Sequence, residues 1–503
     1  MIRPALLKAF ALASAWPYRR LEAALADPRA AQLATLKRLL RLANVDSAIQ
    51  DYAAFCQLPL LSYEDIGPRI EAALTAGQGW LSRRAPVMYE PTSGSSGAAK
   101  LIPYTPALLR SFTSLFLCWA HDLLSQGPAL KGGRIYFSVS PQFHASGHGL
   151  ADDSEYLTGP SSWLFKHFTL VPPGIKALSD PEDFFRVLAL YLLAAEDLEV
   201  ISVWSPSYLL AVLDYINGHR QELAEGLLQP TVTAGGRSFV LPRARRLKAE
   251  LLKTEPLPWT GLFPALKLIS CWGAGNAQPG FRQLQLLFPR ALVQAKGLLA
   301  TEAPISFPSL KYGAFLPLLT EVFFEFIDAQ GQVLFIDQLE HGQSYELVIS
   351  QASGLLRYRL GDRIQVTGRV GQTPCFDFVA RGEAVCDLVG EKLNEAFVAT
   401  VAARFGGNYL FLVPDPLAAC YVLFASAPID TEAFEAGLMA SPHYHNARQL
   451  RQLRPLQGGL LPELAVVIKQ FFVQRRQMRL GDIKDRFLYP RELDGELLAW
   501  LRA

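Results

Sequence analysis

Residues 91–105 read PTSGSSGAAKLIPYT. Thr92, Ser93, Ser95 and Ser96 surround Gly94, Gly97 follows, and the run closes on Lys100. Small residues let a backbone turn tightly and bring its N–H groups close to an anion. The hydroxyls add donors, and the lysine adds a mobile positive charge. The composition suits a loop that holds phosphate, and it also suits a plain surface loop. It is not the nucleoside-triphosphatase loop, because G-x-x-x-x-G-K-[ST] does not occur. Metal and thiol chemistry find less support. There is no H-E-x-x-H, and His144 and His148 are separated by Ser146 and Gly147, which reads as a structural loop. The six cysteines contain no C-x-x-C pair, and reduced thiols in the cytoplasm are expected.

The elements that must position such a loop follow from length and patterning. A chain of 503 residues is too long for one core, and a composition 50% hydrophobic and 19% charged is that of a folded protein. Basic and acidic residues number 48 and 46, which argues against a nucleic-acid partner. The densest basic run, RARRLK at 243–248, reads as a solvated helix face. Arg3 and Lys8 ahead of AFALASAW imitate a signal peptide, but amphipathic sequence runs on, so an ordinary packed helix is expected. No apolar run approaches the ~20 residues of a membrane span, and no membrane partner is expected.

Residues 1 to about 80 read as helices, with Leu33, Leu36, Leu39, Leu40 and Ala43 at helical spacing. Residues 141–172 show neither period and read as loops and short turns. The strands RIYFSVS, EVISVWS, LKLISCWG and ALVQAKGLLA alternate with helical segments, which predicts a parallel sheet covered on both faces. In such sheets ligands sit at the carboxyl ends of the strands, where CWGAGNA and KGLLATE fall. From Leu318 onward EVFFEFID, QVLFID, YELVIS and RIQVTG read as an antiparallel part. After Arg381 a smaller α+β unit is expected, with YLFLVP, ACYVLFAS and LAVVIKQFFV as strands. The fold class is therefore α/β: a large N-terminal domain, 1–380, and a small C-terminal α+β domain, 381–503.

Four stretches stand in order: TSGSSGAAK (92–100), GLLATE (297–302), GLLRYRLGD (354–362) and ARGEAVCDLVGEKLNE (380–395). Together with ISVWSPSYLL and the terminal RLGDIK, they resemble the Gretchen Hagen family of auxin-responsive acyl acid–amido synthetases, in the adenylate-forming superfamily. The resemblance covers nearly the whole chain. It implies that ATP activates a carboxylic acid as an acyl adenylate and that an amino-acid amine then takes the acyl group. A carboxylate attacking a triphosphate brings two anions together, so donors and cations must be aimed at phosphate oxygens.

Residue by residue, the resemblance puts Ser93, Gly94, Ser95, Ser96, Gly97 and Lys100 around the leaving phosphates. Thr301 donates to the α-phosphate, and Glu302 is the ligand for Mg²⁺. Asp362 accepts the ribose hydroxyls; the alternative for it is a salt bridge with Arg357 or Arg359. Gly273, Ala274, Gly275 and Asn276 form the adenine-side loop. Lys392, with Glu391 and Asn394 beside it, reaches the nucleotide, and Lys484 steadies charge during adenylation. The superfamily's P-x-T-x-S-G-K is absent around Lys484, and Glu383 replaces the usual aspartate or lysine in the hinge Arg381-Gly382-Glu383. The acyl pocket is expected between Tyr136 and Trp163, including Tyr156, together with Trp204 and Ser205. An acyl–coenzyme A ligase and a non-catalytic nucleotide-binding protein are the alternatives.

Overall fold

The computed structural model describes residues 2–503 apart from 77–80, 92–99, 138–166, 179, 242–245, 275–276, 382–384, 387, 390, 392, 407, 450–452, 479, 481–482 and 490–493. Four strands, Arg134–Phe137, Leu198–Ser202, Leu268–Cys271 and Leu292–Ala295, pair in that order, all parallel. Ile201, Ile269, Cys271 and Val293 face a core built with the helices Pro181–Ala194, Pro206–Gly218 and Gln278–Leu287. Val200 and Leu268 face the opposite way, against Leu123 and Trp119 of the helix Pro106–Gln126. Both faces are covered, which explains why these strands are apolar throughout instead of alternating.

The antiparallel part is a five-stranded sheet ordered Val333–Phe335, Phe323–Ile327, Ser344–Ser350, Tyr358–Val370 and Thr373–Arg381. Its core takes in Leu21 and Leu25 of the helix Ile2–Ala26 and Leu36, Leu39 and Leu40 of the helix Pro28–Leu42. The break between those helices is local chemistry: Asp27 accepts from the Ala30 N–H, and Pro28 takes the first helical position, where its missing N–H costs nothing.

In the C-terminal part, Leu410–Asp415 and Cys420–Ala425 pair antiparallel, and Gln457–Leu460 joins in parallel. Leu410, Leu412, Tyr421 and Leu423 face one core; Phe411, Val413, Val422 and Phe424 face another. The first is closed by the helices Glu395–Ala402, Thr431–Leu438 and Pro442–Gln449, the second by Leu464–Arg476 and Asp494–Arg502.

Two expectations are corrected here. LAVVIKQFFV is not a strand but lies in the helix Leu464–Arg476, because Leu464, Ile468, Phe471 and Phe472 recur at helical spacing and, with Lys469, are the buried ones. RARRLK is not a solvated face throughout, since Lys248 is 3% exposed and its Nζ donates to the Leu193 carbonyl. Among the described residues no helix is long and apolar enough to cross a membrane, and all six cysteines are free thiols.

Candidate active site

The Ser/Gly run joins two antiparallel strands, Met88–Pro91 and Leu101–Tyr104, and its own residues 92–99 lie outside the described part. Ser93, Gly94, Ser95, Ser96 and Gly97 are therefore located only by what flanks them. The second strand ends in Thr105, whose hydroxyl accepts from the Leu108 N–H and caps the helix Pro106–Gln126. Tyr104 is fully buried and stacked on Phe112, with ring centroids 5.6 Å apart. Its hydroxyl donates to the Thr301 carbonyl at 2.6 Å.

Thr301 and Glu302 are the two middle residues of a tight turn. Ala300 and Ala303 exchange both backbone hydrogen bonds across it, each 3.1 Å long. The turn is seated by Gly297, where a Cβ would come 2.3 Å from the Ser306 carbonyl oxygen, so the chain passes closer than any side chain allows. Glu302 is 3% exposed. Among the described residues no group of three or more His, Cys, Asp or Glu could hold a metal ion. A single carboxylate of this kind fits Mg²⁺ that arrives on nucleotide phosphates, and it does not fit a cation caged by protein alone.

The carboxyl ends of the parallel strands gather a second set of predicted residues. The backbone N–H of Trp272 donates to the Trp204 carbonyl at 2.8 Å, so the CWGAGNA and VWS turns lie side by side. Gly273 is held close to Ala295 and Phe281, at 3.0 and 3.1 Å from the position of a Cβ. Ala274 follows it, while Gly275 and Asn276 lie outside the described residues. Trp272 also meets Phe378 edge to face at 5.5 Å, which joins this edge to the antiparallel sheet. Lys296, which sequence reasoning did not single out, stands 5.1 Å over the Trp204 ring and donates to Ser202 Oγ at 2.8 Å. The signal was its place at the carboxyl end of a strand, one residue before GLLATE.

Asp362 is 8% exposed and opposes Arg381 in the sheet register. Gly361, the residue before Asp362, is not in a turn. It sits at φ +79° inside the strand Tyr358–Val370, opposite a break in register between Glu346 and Val348, so the glycine serves a bulge that re-aims the strand. The two arginines named as alternative partners of Asp362 have carboxylates of their own. Arg357 pairs with Glu325 at 3.0 Å, and Arg359 makes two bonds to Glu346 at 2.7 and 2.9 Å.

Lys100 contacts Glu64 at 3.8 Å and the Tyr63 ring at 5.4 Å, so it lies against the helix Tyr63–Ala76. Tyr136 is fully buried, and its hydroxyl meets that of Tyr208 at 2.8 Å. Ser205 is 8% exposed and precedes the helix Pro206–Gly218; Tyr156 and Trp163 lie outside the described residues. Lys392 also lies outside them, and both its named companions have structural tasks. Glu391 is buried and accepts from the Leu388 and Val389 N–H groups and from Tyr421, while Asn394 caps the helix Glu395–Ala402. Lys484 is exposed, between Ile483, which is in the C-terminal core, and Asp485, which accepts from Tyr409 at 2.7 Å.

Comparison with known proteins places this geometry. The GH3 domain-containing protein of Mus musculus is 25% identical over 323 residues, covering 61% of this chain and 56% of that protein. The 4-substituted benzoates-glutamate ligase GH3.12 of Arabidopsis thaliana is 23% identical over 375 residues, covering 67% and 65%. In both, the chain spans less than two thirds of the relative's own length. A solved structure described as AtGH3.15 acyl acid amido synthetase in complex with 2,4-DB has the same fold, with a TM-score of 0.80 at 18% identity over 97% of this chain and 96% of that one. The GH3 family N-terminal domain matches residues 17–293 and the GH3 family central domain residues 315–381, together most of the chain and both sheets that frame the site. On that match the chain belongs to the GH3 family.

Proposed function

We propose that this protein is an ATP-dependent ligase that joins a carboxylic acid to an amino acid through an acyl adenylate. The observation that carries the reading is the bond from Tyr104 to the Thr301 carbonyl. It brings the strand leaving the Ser/Gly run against the turn that presents Thr301 and Glu302. Hydroxyl and amide donors, a lysine and a buried carboxylate on these neighbouring segments are the kinds of group that phosphoryl chemistry requires. The names of the relatives support the same class: one is called a benzoates–glutamate ligase, another an acyl acid amido synthetase.

In the first half-reaction a carboxylate oxygen of the acid attacks the α-phosphorus of ATP. The bond to the β-phosphate oxygen breaks and pyrophosphate leaves. Ser93, Gly94, Ser95, Ser96, Gly97 and Lys100 would hold the departing phosphates, with Thr301 donating to the α-phosphate. Glu302 would hold Mg²⁺, which neutralises triphosphate charge when bound. Asp362 would accept the ribose hydroxyls, Gly273 to Asn276 would flank the base, and Lys392 and Lys484 would approach from the C-terminal unit, 381–503. In the second half-reaction an amine nitrogen attacks the acyl carbon, the bond to the AMP oxygen breaks, and a proton leaves the nitrogen. Trp204 and Ser205 would line the acid, with Tyr156 and Trp163. Free buried thiols suit a reducing compartment, the cytoplasm.

The test is a panel of carboxylic acids scored by pyrophosphate release with ATP and Mg²⁺. Amino acids and coenzyme A are then supplied in parallel to the acid that works, and products are read by mass spectrometry. Amide product supports the proposal. Thioester alone makes the protein an acyl–coenzyme A ligase, and no pyrophosphate from any acid removes the ligase reading.

A further inference from the structure

The face of the parallel sheet turned toward the helix Pro106–Gln126 changes character near its carboxyl end. Val200, Leu268 and Leu292 form an apolar row across three adjacent strands. Two residues further on, the same face carries Ser202, Ser270 and Gln294, again in register with one another. All three are buried, at 0%, 2% and 6% exposure. Lys296, two residues beyond Gln294, reaches back to this row and donates to Ser202 Oγ at 2.8 Å. Hydrocarbon side chains would continue the apolar row without taking polar atoms out of water, so packing alone does not explain the change.

Gln294 is the informative member of the row. The indole N–H of Trp119, on the helix Pro106–Gln126, donates to its Oε1 at 2.9 Å. An indole nitrogen can only donate, so this bond fixes which end of the amide is the oxygen. The Nε2 group is thereby turned away from Trp119. It is buried, and it meets no acceptor among the described residues. The bond to Trp119 requires an acceptor and has no use for the amide nitrogen, whose burial without a partner is a cost to the fold. The row also adjoins the candidate site. Ser202 lies two residues before Trp204, whose ring is 5.1 Å from Lys296 Nζ, and Lys296 directly precedes GLLATE.

We propose that Gln294 is a specificity-determining residue, whose Nε2 donates to an oxygen that the acid carries away from its reacting carboxyl group. The substrates are then carboxylic acids bearing a second acceptor, a hydroxyl, ether or carbonyl oxygen, and not plain hydrocarbon acids. The proposal rests on the adenylation reading above and narrows the class of acid that reading leaves open. A site built to hydrogen-bond a substrate oxygen discriminates strongly against the analogue lacking it, because the buried donor of the protein then stays unpaired.

The experiment uses matched acids that differ by one oxygen: benzoate with its ring-hydroxylated derivatives, phenylacetate with its own, and hexanoate with its oxo derivatives. Each is scored by kcat/KM for pyrophosphate release and by the rise in melting temperature that the acid causes. The proteins are the parent chain, Gln294→Glu, and Trp119→Phe combined with Gln294→Leu. Gln294→Glu keeps the size and the bond from Trp119 and puts an acceptor where the donor stood. The combined variant removes donor and acceptor together, so neither is left unmatched if the first variant folds poorly. The readout is the ratio within a matched pair, so a general loss of activity cancels. The expected result is a parent preference of about tenfold or more for the oxygenated member of at least one pair, with the larger melting shift. That preference should fall to about parity in the combined variant and invert in Gln294→Glu. A parent that treats every pair alike overturns the proposal, as does a preference that survives in both variants. If the parent releases no pyrophosphate from any acid, the adenylation reading has failed, and the melting shifts alone decide the contact: equal shifts within every pair overturn it.

Discussion

Arg357 adopts φ +48°, a conformation that costs a side-chain-bearing residue of order 1 kcal/mol, and its surroundings explain why it is held there. Its guanidinium bonds Glu325 at 3.0 Å and the carbonyls of Cys56 and Leu58 at 2.7 and 2.6 Å. Glu325 is 1% exposed, and burial raises its pKa against the opposing pull of Arg357. Arg357→Met leaves that carboxylate buried without its cation and should cost about 3–5 kcal/mol by urea unfolding. Adding Glu325→Gln should recover part of the loss, and a double variant weaker than the single one would refute the pairing. Asp362→Ala is expected to keep the fold by circular dichroism and to weaken ATP binding, each lost charge-assisted bond contributing about 1.5–3 kcal/mol. Unchanged ATP affinity would move the ribose contact elsewhere. Glu302→Gln keeps the shape of the turn and removes the charge, so the Mg²⁺ concentration for half-maximal pyrophosphate release should rise. A superimposable Mg²⁺ titration would exclude Glu302 as the ligand.

At the scale of elements, the strand Leu101–Tyr104 and the Ala300–Ala303 turn are joined through one phenol. Tyr104→Phe retains the stack on Phe112 and deletes only the hydroxyl. It should cost about 1 kcal/mol in thermal unfolding and also raise the Mg²⁺ requirement, because the turn that presents Glu302 loses its anchor. A variant that loses stability with no change in the Mg²⁺ titration would reduce Tyr104 to a core residue. That link was not legible in the sequence, where Tyr104 and Thr301 stand far apart. What was legible were the elements whose period and flanks agreed: the apolar runs LISC and VIS, buried on both faces, and the alternation of strand and helix that made the sheet parallel. LAVVIKQFFV misled because its β-branched residues suggest a strand while its buried positions follow a helix. Gly361 misled because a glycine before an aspartate suits a turn, and only strand pairing reveals a bulge. Glu391 and Asn394, which stand beside Lys392 in the motif, are used by the fold to close a loop and cap a helix.

For the whole molecule there are four large cores, and residues 136–293 of one are nested between the segments 18–118 and 298–376 that build another. One lies under the antiparallel sheet, one under the parallel sheet, and two lie on either side of the C-terminal sheet. Cys118 and Cys375 lie in the core under the antiparallel sheet, Cys271 in that under the parallel sheet and Cys386 in one of the C-terminal pair; Cys420 is buried as well. Burial pushes the Cys271 and Cys375 thiols up to about 12 and about 11, and it raises Cys118 and Cys420 as well. Thiolate is the form that alkylating reagents attack, so these four are shielded both by access and by protonation. Cys56 alone is partly exposed, on the short helical segment that Arg357 grips through its backbone. The chain thus carries its own unfolding counter. Brief iodoacetamide treatment at neutral pH should add one carbamidomethyl group to the native protein, at Cys56, and six in strong denaturant, counted by intact mass. Intermediate counts would appear as separate cores open at rising denaturant, with a label at Cys118 or Cys375, at Cys271 or at Cys386 naming the core that opened. Two or more labels on the native protein would show that one of those cores breathes under native conditions.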